Sequence, residues 1–373
     1  MPVTCRDIIN CMEKMAPKRL AEDWDAVGLA IGDPSSEVKR VLVALDVTAD
    51  VIDEAIQMQA DMIITHHPML LFQKIKSITP DTPLGSKIYQ LIRHNISAFS
   101  AHTNLDIVFG GTNDVLAKLA GLEDIEVLEE TSADALKKIV VYVPVTHEEV
   151  VREALCRGGA GHIGNYACCT FGAKGTGTFL PLDGAKPFLG SPGNMEQVEE
   201  IRMETIVPAA ILEDVIGHML AAHPYEEVAY DIYAVEQKGK RYGIGRIGNL
   251  KTPMTFEEYA MFLKEALELD SIRLVGDRNK MIRRVGLCTG SGVEYMNAAH
   301  HKGADAYITG DIKFHEAQRA LEMGICVADA THYASEVLVV PVIKQYIEEE
   351  ARKNGWEIEV KTSQKNGQTF WNC

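Results

Sequence analysis

Histidines and acidic residues follow three short apolar runs of this chain, and each run predicts a buried strand. The runs end near residues 65, 100 and 328. In parallel α/β sheets, ligands collect beyond the carboxyl ends of the strands, so we expect the side chains that follow these runs to meet at one rim. In chain order they are His66, His67, His102, Asp106, Asp329, His332 and Glu336.

Imidazole and carboxylate groups are ligands that divalent transition metals such as Zn, Mn, Fe or Ni take in proteins. Three histidines with two carboxylates exceed a single tetrahedral shell. A carboxylate can bridge two ions, and two-metal sites hold their ions about 3.5–4 Å apart. We therefore predict a site for two divalent metal ions at this rim, with zinc preferred.

Three further polar residues stand near these motifs, namely His102, Asp311 and His315. Each can serve as a sixth ligand, as an orienting partner of a ligand or as a proton shuttle. We predict the orienting role, because a metal-bound histidine usually needs a carboxylate or carbonyl partner. The pair His300-His301 has no carboxylate at matching spacing and is interpreted as solvated surface.

The outer thirds of the chain alternate apolar runs with segments of helical length, which is typical of a parallel sheet. Helices are predicted at residues 83–93 and 314–322, with one long helix over 335–353. The fold class is α/β, with a three-layer domain and parallel-rich sheets. Strands are predicted at residues 41–45, 62–65, 96–100, 284–288, 306–309 and 325–328.

The two outer thirds resemble each other, which indicates a duplicated domain. A shift of 230 positions places His102 on His332 and Asp106 on Glu336. A shift of 244 positions superimposes identical residues in the predicted strands and helices: Arg40 on Arg284, Val41 on Val285, Ala60 on Ala304, Asp61 on Asp305, Ile64 on Ile308 and Thr65 on Thr309.

The middle of the chain has a different pattern, in which strand, helix and strand occur twice. This order suggests a ferredoxin-like sandwich inserted between the halves of the outer domain. We predict domain boundaries at residues 1–131 with 239–373 for the outer domain and 132–238 for the insert. One of the helices is predicted over residues 208–222, with Pro208 in its first turn.

The motif His223-Pro-Tyr-Glu-Glu227 follows that helix. It can mark an effector site or simply stop the helix. We favour the turn, because Pro224 cannot continue a helix.

The composition limits the classes of partner. With 373 residues the chain should hold two or three domains, and its net charge of −16 disfavours non-specific binding to nucleic acid or anionic lipid. No apolar run approaches the roughly 20 residues of a membrane helix, and the first twenty residues lack the core of a signal peptide.

The eight cysteines form no CxxC motif, and the pair Cys168-Cys169 is interpreted as strand residues. Free, buried thiols are typical of a cytoplasmic protein, which we therefore expect.

Five spaced motifs closely resemble the NIF-three-like family, in the longer bacterial form with a PII/CutA-like inserted domain. Bacterial members are commonly named type 2 homologs of GTP cyclohydrolase I. The chain departs locally where it has Ala26 after Asp25, since many relatives carry Asp-Asn. The motifs are Glu22-Asp-Trp-Asp-Ala-Val-Gly-Leu29, Thr65-His-His-Pro68, Ala101-His-Thr-Asn-Leu-Asp106, Ile308-Thr-Gly-Asp-Ile-Lys-Phe-His315 and Asp329-Ala-Thr-His-Tyr-Ala-Ser-Glu336.

This resemblance implies a dinuclear metal centre on a duplicated α/β domain. The ligands that it implies are His66, His67, Asp106, His332 and Glu336. It also implies a toroidal homohexamer whose inserted domain is trimeric. The expected function is a metal-dependent hydrolase acting on a nucleotide or phosphate ester. The alternative is a metal-binding or regulatory scaffold without enzymatic activity, whose insert senses a small molecule.

Overall fold

The computed structural model describes residues 2–70, 75 and 77–370. The chain forms two compact units, which we call the outer unit, Met1–Thr131 with Tyr242–Cys373, and the middle unit, Ser132–Arg241. Among the described residues, no helix has the length and apolar character needed to cross a membrane.

The strands lie in both units, and the long β5 and β8 pass from one unit into the other. Their bounds are β1 Gly28–Ile31, β2 Arg40–Ala44, β3 Met62–Thr65, β4 Ser97–Ser100, β5 Leu122–Pro144, β6 Thr170–Phe179, β7 Glu196–Pro208, β8 Tyr230–Thr255, β9 Arg273–Val275, β10 Met281–Leu287, β11 Ala306–Thr309, β12 Cys326–Asp329 and β13 Glu359–Thr362.

The helices alternate with these strands in most of the outer unit. Their bounds are α1 Cys5–Met15, α2 Ala49–Gln57, α3 Pro83–Arg93, α4 Thr103–Ile107, α5 Thr112–Leu119, α6 Glu148–Arg157, α7 Leu212–Ala222, α8 Phe256–Ala266, α9 Met296–His301, α10 Phe314–Met323, α11 His332–Glu336 and α12 Val339–Asn354.

The outer unit is built on parallel-rich sheets, as predicted. One sheet has the order β1-β4-β3-β2-β13, and all its neighbouring strands run parallel except β1 with β4. In the other sheet β10, β11 and β12 run parallel, flanked by antiparallel β8 and β9. The mixed α/β class is therefore confirmed.

The two halves of the outer unit share the same pairing register. Val41 lies opposite Met62 between β2 and β3, and Val285 lies opposite Ala306 between β10 and β11. These pairs superimpose under the shift of 244 positions found in the sequence. In each half an aspartate accepts the N–H groups of two consecutive residues of the neighbouring strand. The aspartate precedes β3 in one half and β11 in the other, and the N–H groups belong to residues 39–40 at β2 and 283–284 in β10. These aspartates are Asp61 and Asp305.

The first sheet is covered by helices on both faces. Alternate residues of β2 pack in opposite directions: Leu42 belongs to the core with α2 and α3, whereas Val41 and Val43 belong to the core with α1 and α12. Strands buried on both faces need apolar residues at every position, which explains the continuous apolar runs. Local caps fix the helices, as when Thr82 accepts the N–H of Gly85 at 3.1 Å.

The middle unit has the element order of a ferredoxin-like sandwich. Its sheet order is β6-β7-β5-β8, with β7 antiparallel to both β5 and β6. Helices α6 and α7 cover one face of the sheet, where Val141 and Met203 pack against Leu155 and Val215.

Two predicted helices have different bounds in the structure. Pro208 ends β7 in an extended conformation, residues Ala209–Ile211 form a 3-10 turn, and α7 runs from Leu212 to the predicted end at Ala222. The single helix predicted over residues 335–353 is instead two helices, α11 and α12. The break places Pro341 in the first turn of α12, where its missing N–H and its ring are tolerated.

The prediction that every cysteine is a free thiol is also wrong. Cys156 and Cys168 form a disulfide, with Cα atoms 5.0 Å apart. Cys168 and Cys169 lie in a loop and not in a strand, because Cys168 has a positive φ of 57°. The other described cysteines are free thiols, and Cys373 lies outside the described residues.

Candidate metal centre

The carboxyl ends of three strands deliver the candidate ligands in the outer unit. His66 and His67 follow β3, and α4, which follows β4, carries Asp106. The short helix α11 follows β12 and presents His332 and Glu336 one turn apart. Residues from the first and last thirds of the chain thus meet at one place.

Glu336 is the centre of this group. Its Oε2 lies 2.9 Å from Nε2 of His67 and 3.0 Å from Nε2 of His332, and its Oε1 lies 3.7 Å from Nε2 of His66. Nε2 of His66 is 3.6 Å from Oδ1 of Asp106. All five predicted ligands therefore belong to one connected cluster, in which His66, Asp106 and Glu336 are buried.

The histidines of the cluster, and His102 beside them, each have the Nδ1 atom hydrogen-bonded to an oxygen. An Nδ1–H that donates to an oxygen leaves the lone pair on Nε2, which is the atom free to bind a metal. This pattern occurs four times: His66 on the Ala101 carbonyl at 3.0 Å, His67 on Asp46 at 2.8 Å, His102 on Asp25 at 3.0 Å and His332 on Asp311 at 2.8 Å.

Two buried polar atoms of the cluster are not satisfied by hydrogen bonds. Nε2 of His66 and Oε2 of Glu336 have no hydrogen-bond partner of acceptable geometry among the described residues. Such atoms are costly to bury unless a cation or another polar group completes them. Nitrogen and carboxylate donors facing one another fit a divalent transition metal.

Two overlapping groups of ligand atoms share His67. One contains His66, His67 and His102, the other contains His67, His332 and Glu336, and in each group the atoms lie within 4.8 Å of one another. Two groups joined by one residue are compatible with more than one metal position.

The charges within the cluster favour the ionised carboxylate. Burial disfavours the charged form of Glu336, but His332, His66 and His67 outweigh it and keep its pKa well below the ordinary value. Burial likewise opposes protonation of His67, yet Asp46 and Glu336 raise its pKa to about 10. Glu336 raises the pKa of His332 to about 9, against the effect of burial. A bound metal takes the place of such protons.

Helix α4, which carries Asp106, is fixed by the start of α5. Thr112 Oγ1 donates to the Asp106 carboxylate, and Asn113 donates to the Asp106 carbonyl at 3.0 Å. The side-chain oxygen of Asn113 accepts the N–H of Thr289 at 3.0 Å, which ties the start of α5 to the end of β10.

Strained backbone surrounds α11. Asp311 and Thr331 have φ values of 56° and 64°, in a region that residues other than glycine seldom adopt. Asp311 orients His332, and Thr331 caps α11 by accepting the N–H of Ala334 at 3.2 Å. Strain of this kind clusters at functional sites, where the surrounding structure enforces it.

Other residues singled out from the sequence lie at different distances from the cluster. Asp311 contacts a proposed ligand, as an orienting partner does. His102 lies beside His66, with ring centroids 5.1 Å apart. His315 is exposed on α10 and bonds to Gln318, and Asp329 pairs with Arg273, so neither joins the cluster.

Asp46 and Asp25 are not among the site residues predicted from the sequence. Asp46 stands two residues beyond the end of β2, so the rule of strand carboxyl ends applies to it as it does to His66. Asp25 lies in a loop between two elements, and no local pattern links it to His102.

Gly290 leaves the space that Glu336 occupies. A Cβ atom at this position would lie 2.1 Å from Oε1 of Glu336 and 3.4 Å from Nε2 of His332. Gly290 also has a φ of 63°, which disfavours any other residue. Its turn follows β10 and therefore helps to shape the cluster.

We expect Gly290→Ala to lower the metal content of the purified protein, because the added methyl group displaces the Glu336 carboxylate. The matched control is Gly303→Ala, since Gly303 has a φ of 78° but nothing within 4 Å of its Cβ position. Both changes cost about 1–2 kcal/mol in backbone strain. Elemental analysis should find metal loss in the first variant alone, and equal loss in both would contradict the role of Gly290.

A family model described as Duf34/NIF3 (NGG1p interacting factor 3) matches residues 3–368. The chain belongs to the Duf34/NIF3 family. This confirms the resemblance drawn from the sequence motifs.

Named relatives agree with the Duf34/NIF3 assignment. The chain is 47% identical over 336 residues to a Bacillus subtilis (strain 168) protein named GTP cyclohydrolase 1 type 2 homolog, covering 90% of each chain. A protein of the same name from Halalkalibacterium halodurans is 44% identical over 363 residues, which is 97% of each chain. The crystal structure of a Bacillus cereus protein related to NIF3 matches with a TM-score of 0.93 and 42% identity over all of both chains.

Proposed function

We propose that this Duf34/NIF3 protein binds two divalent metal ions and acts as a metal-dependent hydrolase on a nucleotide or phosphate ester. The proposed ligands are His66, His67, Asp106, His332 and Glu336, and zinc is the first metal to test, followed by Mn, Fe and Ni. The observation that supports this proposal best is that the Nε2 atoms of His66, His67 and His332 converge on the buried Glu336 carboxylate. The Nδ1 atom of each of these histidines is hydrogen-bonded to an oxygen. The GTP cyclohydrolase name of the relatives supports a nucleotide substrate.

Divalent ions in such a site would supply Lewis acidity and lower the pKa of a bound water. The protein's own residues provide orientation. Asp46 and Asp311 hold the rings of His67 and His332, so little reorganisation is needed when a substrate arrives.

Asp25 keeps a proton on Nδ1 of His102. Burial disfavours the charged Asp25, but hydrogen bonds from His102 and Thr103 outweigh it and lower its pKa to about 2. Next to this pair lies Trp24, whose ring meets the His102 ring edge-on with centroids 6.0 Å apart and which is 52% exposed. This exposed ring offers an apolar wall on which a nucleobase can stack.

The domain organisation belongs to the same proposal. The matched register and the matched aspartate caps support a duplication in the outer unit. The ferredoxin-like topology supports an inserted PII/CutA-like module over residues 132–238. The resemblance of the sequence motifs supports a toroidal homohexamer with a trimeric insert. The free thiols among the described cysteines support a cytoplasmic location.

The test combines metal content with turnover. Protein purified without chelator and saturated with each metal should hold two equivalents per chain, and His332→Ala should hold fewer. The same samples are assayed against GTP, other nucleotides, phosphodiesters and phosphate monoesters. One equivalent or less in the wild type would contradict the dinuclear site. Full metal loading without turnover of any substrate would favour the non-enzymatic scaffold.

A further inference from the structure

A cavity of about 760 Å³ lies within the middle unit. Its floor is the face of β5, β6 and β7 opposite to the helices, because Tyr142, Glu200 and Arg202 alternate with the core residues Val141 and Ile201. Its walls come from the segments at residues 179–188 and 225–229. The volume is in the range of pockets that bind small molecules.

Aromatic rings form the apolar wall of this cavity. The ring of Tyr225 lies between those of Phe179 and Phe188, with centroid distances of 6.0 Å and 6.2 Å. The three rings come from the end of β6, from the segment after it and from the segment after α7. Rings arranged in this way attract both apolar groups and cations.

Glu200 provides a buried carboxylate at the floor. It is 8% exposed, and its Oε1 accepts the hydroxyl of Tyr225 at 3.0 Å. Oε2 has no hydrogen-bond donor among the described residues. Gly177 makes room for it, since a Cβ there would lie 2.2 Å from Oε2. A carboxylate that lines a cavity and has one oxygen without a donor can take a donor or a cation from the cavity as its partner.

The other charges in the cavity leave it negative. Glu226 and Glu227 line the wall beside Glu200, whereas Lys174 and Arg202 are its basic residues. Arg202 is already paired with Glu204. The cavity therefore favours a positively charged occupant over an anion.

The motif at residues 223–227 can be interpreted from the sequence as a helix stop or as part of an effector site, and it fits both. It stops α7 at Ala222, and it also builds the wall. Nε2–H of His223 donates to the Tyr142 carbonyl at 3.0 Å, and Nδ1 accepts the N–H of Tyr225 at 3.2 Å. Burial lowers the pKa of His223, which fits this neutral imidazole. The turn thus fixes Tyr225 against the floor.

We propose that the middle unit binds a small organic cation, an amine or amidinium on an apolar or aromatic body. The charged group binds Glu200, and the body packs on Phe179 and Phe188. This site is separate from the metal ligands, all of which belong to the outer unit.

Isothermal titration calorimetry of the full chain with three matched probes tests this proposal. The probes are 2-phenylethylamine, the neutral 2-phenylethanol and the anionic 3-phenylpropionate. Saturable binding is expected for the amine, with at least about tenfold weaker binding of the other two. Equal binding of all three probes would overturn the proposal, because charge would not be recognised.

Three variants locate the site. Glu200→Gln should weaken amine binding by at least about tenfold, as expected for loss of a charged partner. Gly177→Ala should weaken it too, because the methyl group displaces the carboxylate. Glu199→Gln is the matched control, since Glu199 is the exposed neighbour on the same strand and should bind as the wild type does. Circular dichroism establishes that each variant is folded.

Two results would reject the site. The first is unchanged amine binding by folded Glu200→Gln. The second is absence of amine binding together with an altered oligomeric state of Glu200→Gln in light scattering, which would assign this face to contacts with another copy of the chain.

Discussion

Replacing Glu336 by glutamine should empty the proposed metal centre and abolish turnover together. The amide keeps the size of the side chain but removes the negative charge that three imidazoles face. It also adds N–H donors opposite the Nε2 atoms of His67 and His332, which are 2.9 Å and 3.0 Å from Oε2. Metal content and rate are measured on the same samples.

The control for this variant is Glu322→Gln, an exposed acid on α10. It changes the net charge equally but touches no ligand, so metal content and rate should stay at wild-type values. A Glu336→Gln protein that keeps both metal equivalents would show that the carboxylate is not a ligand.

His102→Asn, measured alongside, decides the role that the sequence left open. The sequence predicts an orienting residue, in which case metal is retained and turnover falls by about 10–100-fold. The structure gives His102 the same arrangement as the proposed ligands, with Nδ1 on Asp25 and the ring against His66. Loss of metal from this variant would therefore identify His102 as a further ligand.

Replacing Arg246 by methionine should destabilise the outer unit by about 3–5 kcal/mol. The Arg246 side chain is fully buried, and its Nε and Nη2 donate to Asp114 at 3.0 Å and 2.8 Å. It also donates to backbone carbonyls, including that of Val108 at 3.0 Å. Without the guanidinium, the carboxylate of Asp114 and these carbonyls remain buried without their donor.

Urea unfolding followed by tryptophan fluorescence measures this effect, because the sequence has no tryptophan within residues 132–241 of the middle unit, whereas Trp24 and Trp356 belong to the outer unit. The control is Arg278→Met, which removes an exposed pair with Glu257 and should cost less than about 1 kcal/mol. The double variant Arg246→Met with Asp114→Asn should recover part of the loss, since it removes the unpaired charge. Similar unfolding midpoints for Arg246→Met and Arg278→Met would contradict the importance of the buried pair.

The same substitution links stability to the site. Asp114 lies in the first turn of α5, next to Asn113 and Thr112, which bind Asp106. Through its ion pair with Asp114, Arg246 therefore stabilises the first turn of α5, and this turn fixes the proposed ligand Asp106. Because Arg246→Met removes this stabilisation of α5, we expect it to reduce the metal content of the purified protein as well.

The sequence by itself determined the parts of the fold that depend on local patterns. Met62–Thr65 and Pro83–Arg93 have the predicted bounds, because an apolar run of strand length and a threonine cap followed by proline are local signals. The parallel pairing follows from alternation of strands and helices. The meeting of the histidines at one rim of the strand ends follows from that pairing.

Strands at the sheet edges depended on tertiary context. β13 is only four residues long, and three of these residues are polar, yet it pairs in parallel with β2, more than three hundred residues earlier in the chain. β1 and β9 are similarly short edge strands. Runs of three or four residues are too short to be separated from loops by their pattern, and only a partner strand makes them strands.

Only the tertiary structure decided the partners of each functional group. Asp25 reaches His102 across 77 positions of sequence, and Arg246 reaches Asp114 across 132. Gly290 is required because the Glu336 carboxylate occupies the space beside it. Hydrogen bonds and steric contacts between such distant residues have no periodicity along the chain. They arise when packing brings the two halves together, which is why sequence patterns could point to the proposed ligands but not to the residues that hold them.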